Sequence, residues 1–383
     1  MGRNTFLRGP AILLAGLVGA VLLALSFRAS TLDLVPGANV DGPLITTAAN
    51  GQVMVRSSTG APLFISTSGD GSGAHRYHDM VKLTVVPDGR AASARMMVPT
   101  SLQWRHPLAG LPAGGILAAA ENGRGPMRIH TVLEVDHGAL PVLSLVAPDA
   151  AFFDPDSGLL VVGNTMFNAP PELERSYARD PRFWKYPGNF HGRGKQWERG
   201  AVLQCLAPGG EEQWQVKARI RINGQMTRGF PQHALRVILD EPLRAAPWGD
   251  GSAGATSFVI RAAGNDQVKA MMRDAYQHGL CDGLSFEVSK AMPCVLYING
   301  AYWGLHHLRQ RMDDEELARR YDVKARKITI VEDLGVLYKG EPSAPDQLLG
   351  LVAKVDRWDG QGEEVAQLIE AQLDVPEFLK YMA

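Results

Sequence analysis

The stretch that most constrains the fold runs from Val295 to Asp313 and reads VLYINGAYWGLHHLRQRMD. β-Branched and aromatic residues at strand spacing flank Asn299-Gly300. Because Asn-Gly supplies the positive φ angles that both centres of a type I′ turn need, this pattern predicts a β-hairpin. From Met312 the apolar spacing becomes helical, among acidic residues suited to a first helical turn. The sequence therefore predicts a hairpin that leads directly into an amphipathic helix.

Residues 1–29 predict a targeting segment. Arg3 and Arg8 precede an uncharged run of 17 residues from Ala11 to Phe27. This length is at the lower limit for crossing a hydrocarbon core of about 30 Å, so an uncleaved signal-anchor and a signal peptide cut near residues 24–26 both stay open. In either case the positive flank stays inside. We therefore expect an exported protein of the cell envelope, anchored in the membrane through this segment or secreted.

Composition excludes some functions. The net charge of −1, from 39 basic and 40 acidic residues, gives no field that favours nucleic acid, so no nucleic-acid partner is expected. Cys205, Cys281 and Cys294 fit no zinc-binding spacing. Cys281 and Cys294 could pair in an oxidising compartment or remain free thiols, and the third cysteine stays free in both cases.

The chain divides into four segments by pattern. After a linker at residues 30–43, short alternating runs separated by turn clusters predict a β-sandwich over residues 44–138. Its stretch VPTSLQWRHPLAGLPAGGILAAAENGRG resembles the small chitobiase-C-terminal-like modules. A second unit, residues 139–383, mixes strands with helices, which makes the predicted class α+β.

Two loops of the second unit carry charge. Asp154, Asp156 and Gly158 could begin a calcium loop, but the remaining ligands are missing and an Asx turn is favoured. Residues 165–195 predict a solvated surface loop whose basic residues could also meet phosphate. Those residues are Arg175, Arg179, Arg182, Lys185 and Arg193.

The most promising chemistry lies between predicted strands at 213–222 and 234–239. Glycine there lets the backbone approach an anion, and Arg228 and Arg236 can supply bidentate donors. This predicts a phosphate-facing element, with an ordinary strand connection as the alternative. Further on, Asp266 predicts the N-cap of a helix that reaches Leu280, with a buried stripe. The stripe comprises Val268, Met271, Met272, Ala275 and Leu280.

Several blocks resemble the CotH kinase family, secreted atypical kinases named after a spore-coat protein. YINGAYWGLHHLRQRMDDEEL is similar to the family signature NGEYWGxYxLxERxDxxFL. Further similarity lies at Phe153–Pro155, Gly163-Asn164, Trp197–Arg199 and the element around Arg228. The blocks follow the family order over about residues 140–382. The resemblance implies an atypical kinase lobe with a mixed sheet and packed helices.

The resemblance also implies a reaction and its cofactors. Family members use ATP with Mg²⁺ or Mn²⁺ to phosphorylate Ser or Thr, which here implies an extracytoplasmic protein substrate. Carried onto this sequence, the cofactor-binding residues are Arg228, His233, Arg236 and Gln310. His306 and His307 are adjacent on a strand and point to opposite faces, so no metal site is predicted for them.

Three departures favour an alternative. Gln232-His233 stands where the family has two lysines, and Gln310 stands where it has glutamate. The family's metal-binding and catalytic acids lie downstream of a helix that LDVPEFLKYM, at residues 373–382, resembles. We therefore expect either an incomplete copy of a kinase or a non-catalytic, envelope-anchored binding or assembly protein, and the catalytic residues remain unknown.

Overall fold

The structure is a computed structural model, and its described residues form two compact units. One unit holds the described residues before 280 together with 291–309, and the other holds 280–290 and 310–382. The predicted targeting segment and linker lie outside the described residues, and so do Arg175, Arg179, Arg182 and Val268. The described residues are 44–47, 52–57, 60–66, 75–76, 81–82, 115–121, 128–133, 137–168, 183–230, 232–248, 253–267, 269–332 and 335–382.

The first unit is built on a closed barrel of seven strands, in the order β10-β11-β12-β14-β13-β8-β9. Strands β8 and β13 pair in parallel, and the other pairs with a described register are antiparallel. The predicted α+β class is confirmed. The sequence did not predict that the sheet closes into a barrel. The barrel strands are β8 (Val142–Val146), β9 (Arg199–Leu206), β10 (Glu212–Asn223), β11 (Ala234–Leu239), β12 (Ser257–Arg261), β13 (Ala291–Ile298) and β14 (Ala301–Gln310).

The inward-facing side chains of the strands fill the barrel. Buried and partly exposed residues alternate through β11, as expected for strands with one face on a core. The interior contains large side chains with no more than 2% of their surface exposed, including Trp214 and Phe258. Cys205 and Cys294 are buried there as well, and all three cysteines are free thiols.

Two small sheets precede the barrel, in the orders β1-β2-β5 and β4-β3-β6-β7. Five runs that predict strands contain observed ones, while the sandwich itself stays a prediction; these runs are QVMVRS, PLFIST, MVKLTVV, GILAAAE and MRIHTVLEV. Their strands are β1 (Leu44–Thr47), β2 (Gln52–Arg56), β3 (Leu63–Ser66), β4 (His75–Arg76), β5 (Val81–Lys82), β6 (Gly115–Glu121) and β7 (Arg128–Val132).

The predicted hairpin is confirmed as β13 and β14. Asn299 and Gly300 have φ angles of 47° and 76°, and the flanking Ile298 and Ala301 face each other in register. The Asn299 side chain accepts a hydrogen bond from the Ala147 N–H at 3.0 Å and donates to the Ala147 carbonyl at 2.8 Å. The turn therefore also anchors the start of helix α1 (Asp149–Phe153).

The predicted helix at 266–280 is corrected in the structure. Helix α2 begins only at Arg273 and ends at Leu280, and it has no buried residues, since Leu280 is 63% exposed. Asp266 ends a short 3-10 turn instead, and its carboxylate accepts a hydrogen bond from the Arg273 N–H at 3.1 Å. Met271 has a φ of 60°, which interrupts helical geometry before α2.

The second unit is mainly helical. Asp313 caps α3 by accepting a hydrogen bond from the Glu316 N–H at 3.2 Å, so the helix predicted from Met312 begins two residues later. Among the described residues, no helix is long and apolar enough to span a membrane. The elements are α3 (Asp314–Tyr321), β15 (Ile330–Glu332), β16 (Val336–Lys339), α4 (Ala344–Asp356), α5 (Glu363–Gln372) and α6 (Val375–Met382).

Candidate functional site

The predicted phosphate-facing element is the connection between β10 and β11. The chain turns at Gly224, whose φ is 109°, and then forms a 3-10 helix over Met226–Gly229. Gly229 is required by packing, because a Cβ atom there would lie 2.2 Å from the Trp184 carbonyl oxygen. The connection is therefore pressed against the loop that precedes β9.

Arg228 lies buried in this connection, with 7% of its surface exposed. Its guanidinium donates hydrogen bonds to the carbonyls of Gly224 at 2.6 Å, Gly192 at 2.9 Å and Phe190 at 3.3 Å. Within the described part of the chain it forms no ion pair with a carboxylate. Burial, and then the charges of Arg193 and Arg221, lower the pKa of Arg228 to about 10. It therefore stays cationic at neutral pH, with no acidic partner among the residues that the structure describes.

Two more arginines lie on the adjoining strands. Arg221 on β10 and Arg236 on β11 are directly opposite each other in the antiparallel register. Both are partly exposed and face away from the core, since their neighbours Ile220, Ile222, Leu235 and Val237 are buried. Like charges in this arrangement repel.

Acidic side chains contact two arginines of β10, Arg219 and Arg221. Glu198 contacts Arg219 at 2.7 Å and Arg221 at 3.7 Å, and Asp240 contacts Arg219 at 3.3 Å. Arg193 is exposed in the neighbouring loop. We refer to Arg193, Arg221, Arg228 and Arg236 as the arginine cluster. Such a concentration of guanidinium groups suits an anion with several oxygens.

His233, immediately before β11, is buried. Its ring stacks on Phe190 with centroids 5.0 Å apart, and neither ring nitrogen has a hydrogen-bond partner among the described residues. Burial is the main cause that lowers the pKa of His233 to about 4, assisted by the charges of His191, Arg228 and His306. The ring is therefore neutral at pH 7, where a lysine would carry a charge.

Gln310 lies in the second unit, and its side chain is already engaged there. Its amide nitrogen donates to a Glu316 carboxylate oxygen at 2.7 Å, and its amide oxygen accepts from Arg320 at 2.8 Å. Arg319 also donates to Glu316 at 2.7 Å. Gln310 thus belongs to a hydrogen-bonded group at the start of helix α3. Its predicted role in cofactor binding stays a prediction.

The adjacent histidines occupy separate environments, as the sequence predicted. His306 has Nδ1 3.1 Å from the Gly304 carbonyl, whereas His307 has Nε2 3.1 Å from the Met272 sulfur. Burial lowers the pKa of each to about 4. No group of three or more His, Cys, Asp or Glu that could hold a metal ion occurs among the described residues.

The Asp154 loop is an Asx turn. Asp154 Oδ1 accepts hydrogen bonds from the backbone N–H groups of Asp156 and Ser157 at 2.9 and 2.8 Å, and from the Ser157 hydroxyl at 2.9 Å. These bonds, the one from the Ser157 hydroxyl first, lower the pKa of Asp154. Its oxygen is saturated by the turn itself, which supports the structural interpretation over a calcium loop.

Sequence reasoning missed two contributors to the site. The loop at 165–195 was predicted to lie on the surface, but Phe190 is fully buried and Asn189 is 1% exposed. Phe190 belongs to the buried core cluster of the barrel, and Asn189 donates to the Pro155 carbonyl at 3.1 Å. Arg221 was also missed, although its alternation with Ile220 and Ile222 already placed it on the outward face.

Together these features define a barrel domain with a cluster of arginines on one face. Comparison with known families assigns this part of the chain: residues 220–383 match the family model CotH, described as CotH kinase protein. This region is therefore similar to the CotH kinase family, in agreement with the motifs of the sequence. The match begins on β10 and includes Arg221, Arg228, His233, Arg236 and Gln310, whereas the Phe190 loop precedes it. A search of curated proteins found no match to the chain.

Proposed function

We propose that this protein is an exported atypical protein kinase that binds ATP at the arginine cluster and transfers its γ-phosphoryl group to Ser or Thr of an extracytoplasmic protein. The match of residues 220–383 to the CotH kinase family supports the reaction class. The single observation that carries the ligand assignment is Arg228, a buried cation without an acidic partner among the described residues, with Arg193 and Arg221 close enough to lower its pKa. Bound phosphates would supply the missing negative charge.

Charge neutralisation is the main requirement of phosphoryl transfer. In the proposed complex Arg221 and Arg236 contact phosphate oxygens from the strand surface, while Arg228 holds the Gly224 turn and the Phe190–Gly192 loop in place through its three carbonyl contacts. The acceptor hydroxyl attacks the γ-phosphorus, the bond to the bridging oxygen breaks, and ADP and a proton leave. Arg228 therefore serves partly as a structural support for the site.

The described residues hold no acidic cluster able to bind a metal on its own. We propose that Mg²⁺ or Mn²⁺ arrives bound to the phosphates of ATP. Export, the membrane connection and the protein substrate rest on the sequence of the targeting segment and on the family resemblance.

The test is a radiolabel transfer assay on the purified chain with ATP, Mg²⁺ or Mn²⁺, and a mixture of extracytoplasmic proteins. Transfer by the wild type, its loss in Arg221→Gln, and its retention in Arg244→Gln are expected. Arg244 is exposed and lies outside the cluster. ATP binding without any transfer would favour a non-catalytic binding protein, and absence of both binding and transfer would contradict the proposal.

A further inference from the structure

The chain between Arg228 and Arg236 passes through Gln232, which lies just outside the strand ladder. The pairing of β10 with β11 begins at Ala234, and the pairing of β11 with β12 begins at Leu235. In the described registers, the backbone N–H and carbonyl of Gln232 therefore have no strand partner. Gln232 is half-buried, and backbone groups that are taken out of water need partners from elsewhere in the fold.

The side chain of Gln267 supplies both partners. Its amide oxygen accepts a hydrogen bond from the Gln232 N–H at 3.0 Å, and its amide nitrogen donates to the Gln232 carbonyl at 2.6 Å. The amide thus exchanges two hydrogen bonds with one residue, as the opposite residue of an antiparallel strand would. The Gln232 side chain takes no part in this pairing and donates to the Trp303 carbonyl at 3.5 Å.

Gln267 follows a turn whose backbone is held in an uncommon conformation. The 3-10 turn Gly264–Asp266 begins after Ala263, which has a φ of 57°, and the Gln267 N–H donates to the Gly264 carbonyl at 3.3 Å. A left-handed alanine persists only where the surrounding contacts hold it, and such residues are concentrated at functional sites. The turn therefore fixes the base of the Gln267 side chain.

The same turn also lies against the connection that carries Arg228. A Cβ atom at Gly264 would lie 3.8 Å from the methyl carbon of Thr227, and Thr227 immediately precedes Arg228. The turn and Gln267 therefore contact the chain on both sides of the step from the connection to β11, at Thr227 and at Gln232. These two contacts set the position of Arg228 relative to Arg236.

We infer that Gln267 is a positioning residue of the nucleotide site: its amide fixes the backbone at Gln232 and so holds Arg228 and Arg236 at the spacing that the phosphates require. This inference rests on the function proposed above. Hydrogen bonds from guanidinium groups to phosphate oxygens depend on geometry, so a displaced arginine loses them. Gln267 acts through the backbone of Gln232 and does not touch the nucleotide. Its loss should therefore weaken the contribution of the phosphates to binding and leave binding of the nucleoside in place.

The test measures the affinities of the wild type and of Gln267→Met for ATP and for adenosine, each in Mg²⁺, by isothermal titration. Methionine has a similar length but cannot form either hydrogen bond to Gln232. The inference predicts that the preference for ATP over adenosine falls about fivefold or more in the variant, while the adenosine affinity changes by less than about twofold. The matched control is Asn265→Ala, which alters an exposed side chain of the same turn and should keep the preference of the wild type.

Other outcomes separate this inference from the proposed function. A folded Gln267→Met variant with the full preference for ATP would overturn the inference and leave the proposed function standing. Equal losses of ATP and adenosine affinity would also overturn it, because they indicate general structural support. If Gln267→Met does not fold, as judged by the fluorescence of the buried Trp214, Gln267→Asn, which keeps the amide but shortens its reach, must show the reduced preference. A wild type that binds ATP no better than adenosine would contradict the proposed function and the inference together.

Discussion

Arg221 and Arg236 are directly opposite each other on neighbouring strands of the barrel, and both carry positive charge on the same outward face. Opposed like charges destabilise an antiparallel pair by a few tenths of a kcal/mol to about 1 kcal/mol. We therefore expect Arg221→Gln to leave the free energy of unfolding of the ligand-free protein unchanged or slightly higher. Urea denaturation measures this. A loss of more than about 1 kcal/mol would show that Arg221 is a structural residue and not a residue retained for binding.

The Asn299 turn supports the barrel as well as closing the hairpin. Asn299→Ala removes two hydrogen bonds to Ala147 and one of 2.8 Å to Asp149, and it places alanine at a φ of 47°. We expect a loss of about 1–3 kcal/mol in the free energy of unfolding. The control is Asn265→Ala, because Asn265 is exposed. Equal urea midpoints for the two variants would contradict this role.

Buried histidines make the fold sensitive to acid. His233, His306 and His307 have pKa values lowered by burial to about 4, from an ordinary value of 6.5. Between these values the unfolded chain binds protons that the folded chain does not. Stability is therefore fully present above pH 6.5 and decreases as the pH falls towards 4. Thermal melting between pH 7.5 and 4.5 should show this decrease.

The substitution His233→Phe tests whether His233 contributes to the loss of stability at low pH. The phenyl ring keeps the stack on Phe190 and removes one titrating group, so the melting temperature should fall less steeply with pH than in the wild type. Identical slopes for variant and wild type would mean that His233 is not among the groups that make the protein acid-sensitive.

Gln310 is predicted to be required as an amide. In Gln310→Glu, a carboxylate replaces the amide that donates to Glu316 at 2.7 Å, so two acids face each other and Glu316 loses one of its hydrogen-bond donors. We expect destabilisation by about 1–3 kcal/mol relative to the wild type at pH 7, measured by urea denaturation. Gln347→Glu, at an exposed position of α4, is the control. No difference between these two variants would argue against the network.

The sequence predicted the local elements well because their signals are local. Asn299-Gly300 alone determines the hairpin turn, and strand β11 was predicted with its observed ends, Ala234 and Leu239. Helix α2 shows where prediction from local sequence patterns fails. Its apolar spacing suggested an earlier start, but the Asp266 carboxylate binds the Arg273 N–H and Met271 has a left-handed backbone.

The site was predicted only in part because tertiary contacts complete it. The glycine-containing connection between two predicted strands was sufficient to predict Arg228 and Arg236 as site residues. The stack of Phe190 on His233 and the contacts of Arg228 with a loop some 38 residues earlier depend on the closure of the barrel. From the sequence, Gln310 was interpreted as the loss of the family's glutamate charge. In the structure its amide lies between Glu316 and Arg320 and bonds to both.

The central claim is that the arginine cluster binds the phosphates of a nucleotide. Isothermal titration of the wild type with ATP, ADP, AMP and adenosine, each in Mg²⁺, tests it most directly. We predict that affinity falls with each phosphate removed, that Arg221→Gln reduces ATP affinity at least tenfold, and that Arg244→Gln does not. Equal affinity for ATP and adenosine, no ATP binding, or an unchanged affinity in Arg221→Gln would contradict the claim.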